Sequence, residues 1–231
     1  MVTATALIAE LEAQADPEDI NYVTRFYRGG DPDTEIMGVR MPKVFPIAKQ
    51  FASLPLAEIG RILDDNRYEV RMAAVSVMDF QARRKTLDPE HRKALFDLYL
   101  KRHDRLDNWD FVDRAAPHVV GEYLVDKDRK ILDTLARSDD PHERRTALVA
   151  TYAFIKRGEV AATFRIAEML AEDTDEYVQK AIGSWVREAG KRDDAALVSF
   201  LRSHAGRLPR TTITAASKHL PEEIKKVVRS W

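Results

Sequence analysis

The residues best suited to chemistry in this chain stand together in Asn108-Trp109-Asp110-Phe111-Val112-Asp113. Trp109 and Asp113 are four apart, so on a helix they share one face. An indole beside a carboxylate is a receptor for a cationic centre: the ring supplies cation–π attraction and the acid supplies charge. A partly desolvated Asp113 could stabilise an oxocarbenium-like sugar and orient a water. Spacing alone leaves the plainer alternative open and favours it, with Trp109 as core filler and Asp113 capping or pairing with Arg145.

Other chemistries lack their residues. The chain has no cysteine, which excludes disulfides, thiol catalysis and cysteine-bound metals. Its six histidines show no His-x-x-x-His spacing, so a zinc-binding helix is unsupported. No Gly-x-Ser-x-Gly elbow occurs, and Gly183 to Gly190-Lys191 has six intervening residues where a phosphate loop needs about four. No cofactor and no metal is expected.

The elements that must carry this block read as helices. Strand alternation and Asn-Gly or Asp-Gly turns are missing, whereas helix starts recur at Met41-Pro42, Leu54-Pro55, Asp88-Pro89, Asp140-Pro141 and Leu220-Pro221. Between them, apolar residues fall three and four apart, as at Leu132, Leu135 and Ala136. About a dozen helices and an all-α fold are expected.

The helices repeat. Residues 68–73, 110–115, 142–147 and 176–181 align without gaps, with a weaker copy at 210–215. Their alanines, Ala73, Ala115, Ala147, Ala181 and Ala215, are separated by 42, 32, 34 and 34 residues. A period in the thirties with two helices per unit predicts an α-solenoid, here one array over residues 1–231 with a concave surface. Two positions before each alanine stand Arg71, Asp113, Arg145, Gln179 and Ile213. If these line the concave face, stacked cations around one carboxylate suit a phosphate backbone beside a reactive centre; solvated helix positions with local ion pairs are the alternative.

Charge does not decide between them. The formal net charge is −1, against a generic nucleic-acid binder, yet residues 1–40 carry −5 and residues 201–231 carry +5. The N-terminal residues carry Glu10 and Glu12 in place of a basic leader, and no apolar run is long enough to span a membrane. A cytoplasmic protein is the expectation.

The chain resembles the AlkD-like DNA alkylation-repair family, HEAT-repeat glycosylases that remove positively charged alkylated purines. The resemblance rests on Met37-Gly38-Val39-Arg40-Met41-Pro42, the stretch Glu69 to Ala74, and Asp107-Asn108-Trp109-Asp110-Phe111-Val112-Asp113. It continues through Ala116-Pro117, Val120-Gly121, Glu143-Arg144-Arg145, Lys180-Ala181-Ile182-Gly183 and Leu208-Pro209-Arg210-Thr211. It implies a curved helical solenoid with a DNA-facing concave surface. It further implies a monofunctional glycosylase acting on N3- or N7-alkylated purines in double-stranded DNA, working as a monomer with the base still stacked. Trp109 would lie against the deoxyribose, Asp113 would stabilise the sugar cation, and Arg145 would hold a nearby phosphate. Arg71, Lys180, Trp185, Ser184 and Arg210 would lie at the DNA.

Two departures stand out. Ser184 occupies the place where the family usually has a second Trp, with Trp185 one residue later and about 100° round the helix. Thr214 and Ala215 stand where many relatives carry Arg-Tyr. A catalytically weak protein that binds distorted or branched DNA is therefore the alternative, and a protein-binding scaffold comes third.

Overall fold

A computed structural model describes residues 2–231, apart from the side chain of Arg229. Its described residues form an all-helical chain with no strand, one isolated backbone bridge joining Glu35 to Arg67. The helices start where the sequence places them. Asp88 and Asp140 accept hydrogen bonds from the N–H groups of His91 (2.9 Å) and His142 (2.8 Å), with a proline at the first helical position in each case. Pro55 and Pro221 sit immediately before Leu56–Leu63 and Glu222–Ser230. Among the described residues, no helix is long and apolar enough to cross a membrane.

Within each unit the repeated helices pack on one another, consistent with an α-solenoid of helical repeats. Tyr68–Ala82 packs on Trp109–Ala116, and Glu176–Gly190 packs on both Pro141–Val149 and Arg210–Ala216. The chain divides into two compact units, Met1–Tyr123 and Leu124–Trp231.

In the first unit, Tyr68–Ala82 is the central helix. It is enclosed by Met41–Gln50, Leu56–Leu63 and Trp109–Ala116, and every residue except Phe80 is buried. Its polar members Glu69, Arg71, Ser76 and Asp79 therefore lie inside the protein, where each needs a partner. The Glu69 carboxylate accepts the backbone N–H groups of Met37, Gly38 and Val39 at 2.9–3.2 Å. That clamp fixes the loop leading into Met41–Gln50. Gly38 lies at φ +81° there, and a Cβ would meet the Asp16 carbonyl oxygen at 2.0 Å, so the loop requires glycine.

In the second unit, Gly183 performs a related task. A Cβ there would lie 2.9 Å from Ala215 Cβ, so its absence lets Arg210–Ala216 approach Glu176–Gly190 closely. Gln179 joins the same two helices, accepting from Thr212 Oγ1 (3.0 Å) while its Nε2 donates to the carbonyls of Ala171 (3.0 Å) and Asp173 (2.9 Å).

The expectation about the register positions needs correction. Arg71, Arg145, Gln179 and Ile213 are only 0%, 4%, 7% and 1% exposed, and Asp113 alone of the five is partly open. A helix packed on two or three sides buries most of its circumference, so these positions lie in seams between helices instead of forming a stacked polar surface.

Candidate functional site

The Asn-Trp-Asp block is built as a corner tied to the loop that follows residue 25. Asn108 is extended and fully buried, and it precedes the helix Trp109–Ala116. Its Oδ1 accepts the Arg28 N–H at 2.8 Å, while its Nδ2 donates to the Phe26 carbonyl (3.1 Å) and to Asp110 Oδ1 (2.5 Å). Trp109 Nε1 donates to the same Phe26 carbonyl at 3.2 Å. With its N–H engaged there, the indole offers mainly hydrocarbon surface to a neighbour.

Arg71 has a different task from the expected DNA contact. Its guanidinium is enclosed, with Nη1 donating to Asp107 Oδ1 at 2.8 Å, Nη2 donating to Thr34 Oγ1 at 2.7 Å, and the group lying 5.5 Å from the Phe111 ring centre. Asp107 also accepts from Tyr27 O–H at 2.6 Å. Arg71 thus braces the segment before the block, and a phosphate cannot reach it.

Trp109 and Asp113 line a cleft of about 520 Å³. Its other walls are mostly apolar: Tyr22, Phe26, Met41, Phe45 and Met72, with Arg40, Arg83 and Arg114 contributing charge. Tyr22 and Phe26 are 39% and 41% exposed, an unusual display of aromatic surface at an opening. The structure therefore brings together the indole and carboxylate that sequence spacing pairs.

It also adds a residue that the sequence reading missed. Asp110 lines the same cleft, and its carboxylate accepts from Tyr68 O–H as well as from Asn108. Burial pushes the Asp110 carboxyl up to about 6, the nearby Asp113 charge adds to the rise, and the hydrogen bonds from Tyr68 and Asn108 oppose it. Burial and the Asp110 charge push the Tyr68 phenol upward too, so it stays a neutral donor. The available signal was the three-residue spacing of Asp110 and Asp113, which puts two carboxyls on neighbouring positions of one helix face.

The remaining predicted residues belong to the second unit. Arg145 is 4% exposed and its Nη1 donates to the Tyr177 carbonyl, bracing Pro141–Val149 against Glu176–Gly190. As placed, it has almost no surface for the phosphate expected of it. Lys180 is exposed, pairs with Glu176 at 2.6 Å and lies over the Tyr177 ring. Ser184 is partly exposed, and Trp185 donates Nε1–H to the Val149 carbonyl at 3.0 Å, which holds its ring against the neighbouring helix. Arg210 is exposed and donates to the Trp231 carbonyl at 3.1 Å. With Arg187, Lys218, Thr211 and Thr214 it surrounds a shallow depression with no acid on its walls. Arg187 and Lys218 were not anticipated; they are brought there by the packing of Arg210–Ala216 on Glu176–Gly190.

Residues 7–220 match the model of a family described as DNA alkylation repair enzyme. A solved structure titled "Predicted DNA alkylation repair enzyme from Enterococcus faecalis" is similar in fold, with a TM-score of 0.68 at 16% identity, covering 90% of this chain and 98% of that one. No curated protein matches the chain.

Proposed function

The chain belongs to the DNA alkylation repair enzyme family, and from that premise we propose that it is a monofunctional DNA glycosylase hydrolysing the N-glycosidic bond of cationic N3- or N7-alkylated purines in duplex DNA. The observation that carries this reading is the placement of Trp109 and Asp113 on one wall of an apolar cleft. A sugar developing positive charge is stabilised there by the indole and by the carboxylate.

In this reaction the C1′–N bond breaks and its electron pair goes to the purine, whose positive charge is thereby neutralised. Water adds to C1′ and passes its proton to Asp113 or to solvent. The purine departs as a neutral base, so no strong general acid is needed. Asp110, ionised for the most part at pH 7, adds negative potential to the same wall. A lyase step needs an amine at the sugar, and Lys180, the one amine in the repeat register, is paired with Glu176.

A second reading, a catalytically weak protein that binds distorted or branched DNA, is favoured by one observation: Trp185 is tied to the Val149 carbonyl and Ser184 stands beside it. The test is release of 7-methylguanine and 3-methyladenine from methylated duplex, wild type beside Asp113→Asn. Release that is lost in a folded variant supports the glycosylase. Equal release removes the carboxylate from the mechanism, and tight binding without release by the wild type supports the second reading.

A further inference from the structure

The cleft carries opposite charge along its length. Tyr68–Ala82 and Trp109–Ala116 run parallel beside it: Tyr68 meets Asp110 near their N-terminal ends, and Ser76 and Asp79 meet Arg114 further along. Tyr68 and Asp79 are eleven positions apart, about 16 Å at the rise of an α-helix, and Asp110 and Arg114 on the neighbouring helix are four apart, about 6 Å. Trp109 and Asp110 therefore mark an acidic end, and Arg114 and Arg83 mark a basic one, with Asp113 between them on the wall.

The basic end is organised around one buried acid. Asp79 is 0% exposed, accepts from Arg83 Nε at 2.8 Å, and lies 3.1 Å from Arg114 Nη2 and 2.8 Å from His118 Nδ1. Two guanidinium groups thus share one carboxylate, which leaves an excess positive charge around Asp79. The Arg114 guanidinium is held between the Phe45 and Phe80 rings, 4.7 Å from each centre, and its Nε donates to Ser76 Oγ at 3.1 Å. It is a rigid donor. Burial holds the Arg114 guanidinium below its ordinary value, Asp79 opposes that effect, and the neighbouring Arg83 charge adds to it. Arg83 keeps 47% of its side chain exposed.

We propose that Arg83 and Arg114, braced by Asp79, form the phosphodiester-binding end of the cleft and hold a backbone phosphate of the strand whose sugar faces Asp113. The proposal rests on reading the cleft as a DNA site. Asp113 and Arg114 both line the cleft, so a sugar at the carboxylate has its own phosphate on the side of the guanidinium. Arginine suits that partner because its planar donors match phosphate oxygens two at a time. This end of the cleft takes the phosphate-holding part that sequence expectation gave to Arg71 and Arg145, both of which are buried.

The test is binding, which is independent of bond cleavage. Fluorescence anisotropy is measured with a duplex carrying one tetrahydrofuran abasic analogue, from about 50 to 200 mM KCl, for wild type, Arg83→Gln, Arg83→Lys and Arg61→Gln. Arg61 is 73% exposed, pairs with Glu58 and lies off the cleft, so it is the control for general charge. Each phosphate contact contributes about 0.9 to the slope of log affinity against log salt, so over this fourfold range wild type should lose about 3.5-fold more affinity than Arg83→Gln. Arg83→Lys and Arg61→Gln should keep the wild-type slope. Since Arg114→Gln alone leaves Asp79 poorly paired, the double variant Asp79→Asn/Arg114→Gln, checked by its melting temperature, should lower the slope by a similar amount. Wild-type slopes in both Arg83→Gln and the folded double variant would overturn the proposal while leaving the DNA reading intact. Absence of duplex binding by wild type would overturn both.

Discussion

Replacing Asp110 with Asn separates the charge of that carboxyl from its shape, and the structure assigns the result a sign and a size. The Asp110 carboxyl is raised from 3.8 to about 6, chiefly by burial. A shift of about two units at ~1.4 kcal/mol per unit corresponds to about 3 kcal/mol. The folded state binds the proton more tightly than the unfolded one between pH 4 and 6. Stability from this group is therefore highest at low pH and falls as pH rises through that window, then stays level. The part between pH 5 and 7 is about 1.3 kcal/mol. Asn cannot titrate, but it must present an oxygen to Tyr68 O–H and an amide to the Asn108 amide, and this misfit forfeits about 1 kcal/mol of hydrogen bonding. The stability difference, variant minus wild type, should therefore rise by about 1.3 kcal/mol from pH 5 to pH 7, whatever its absolute value. Urea denaturation midpoints at half-unit pH steps, with a common m value, read this directly. Parallel wild-type and Asp110→Asn curves across that range would refute the assignment of a raised carboxyl at this position. A companion variant sharpens the test. Asp113→Asn removes a charge that raises Asp110, so its own pH dependence should move to lower pH.

Other outcomes follow from the same geometry. Arg71→Met leaves Asp107 without its buried partner and should cost about 3–5 kcal/mol in urea denaturation; the salt slope of DNA binding should be unchanged, and a slope lowered by about one would restore Arg71 to the interface. Gly38→Ala places a Cβ 2.0 Å from the Asp16 carbonyl at φ +81°, and should lose at least about 1–3 kcal/mol by the same assay. Trp109→Phe keeps an aromatic face but loses the bond to the Phe26 carbonyl; excision should fall by more than binding of the abasic duplex, and equal losses would assign the indole to ground-state affinity alone.

Local signals in the chain determine a good deal of this protein. An acid or a proline at the head of a segment satisfies or removes N–H groups that a first helical turn leaves unpaired, so Asp88-Pro89, Asp140-Pro141 and Leu220-Pro221 mark helix starts without help from the rest of the fold. The recurring alanines mark helices that pack on their counterparts within each unit, and four-residue spacing puts Trp109 and Asp113 on one cleft wall. What periodicity could not decide was which of the equivalent polar positions would face solvent. Arg71 and Asp113 occupy the same place in their repeats, yet one is enclosed on a helix covered from several sides and the other opens on a cleft. Tertiary packing alone makes that choice, because burial depends on how many neighbours a helix has. The same packing raises Asp110 and gathers Arg83, Arg114 and His118 onto Asp79. Asp113 beside Asp110 and Arg83 beside Asp79 are local in sequence, but the desolvation of Asp110 and the approach of Arg114 and His118 to Asp79 come from other elements, and neither is written in the spacing of residues along a chain.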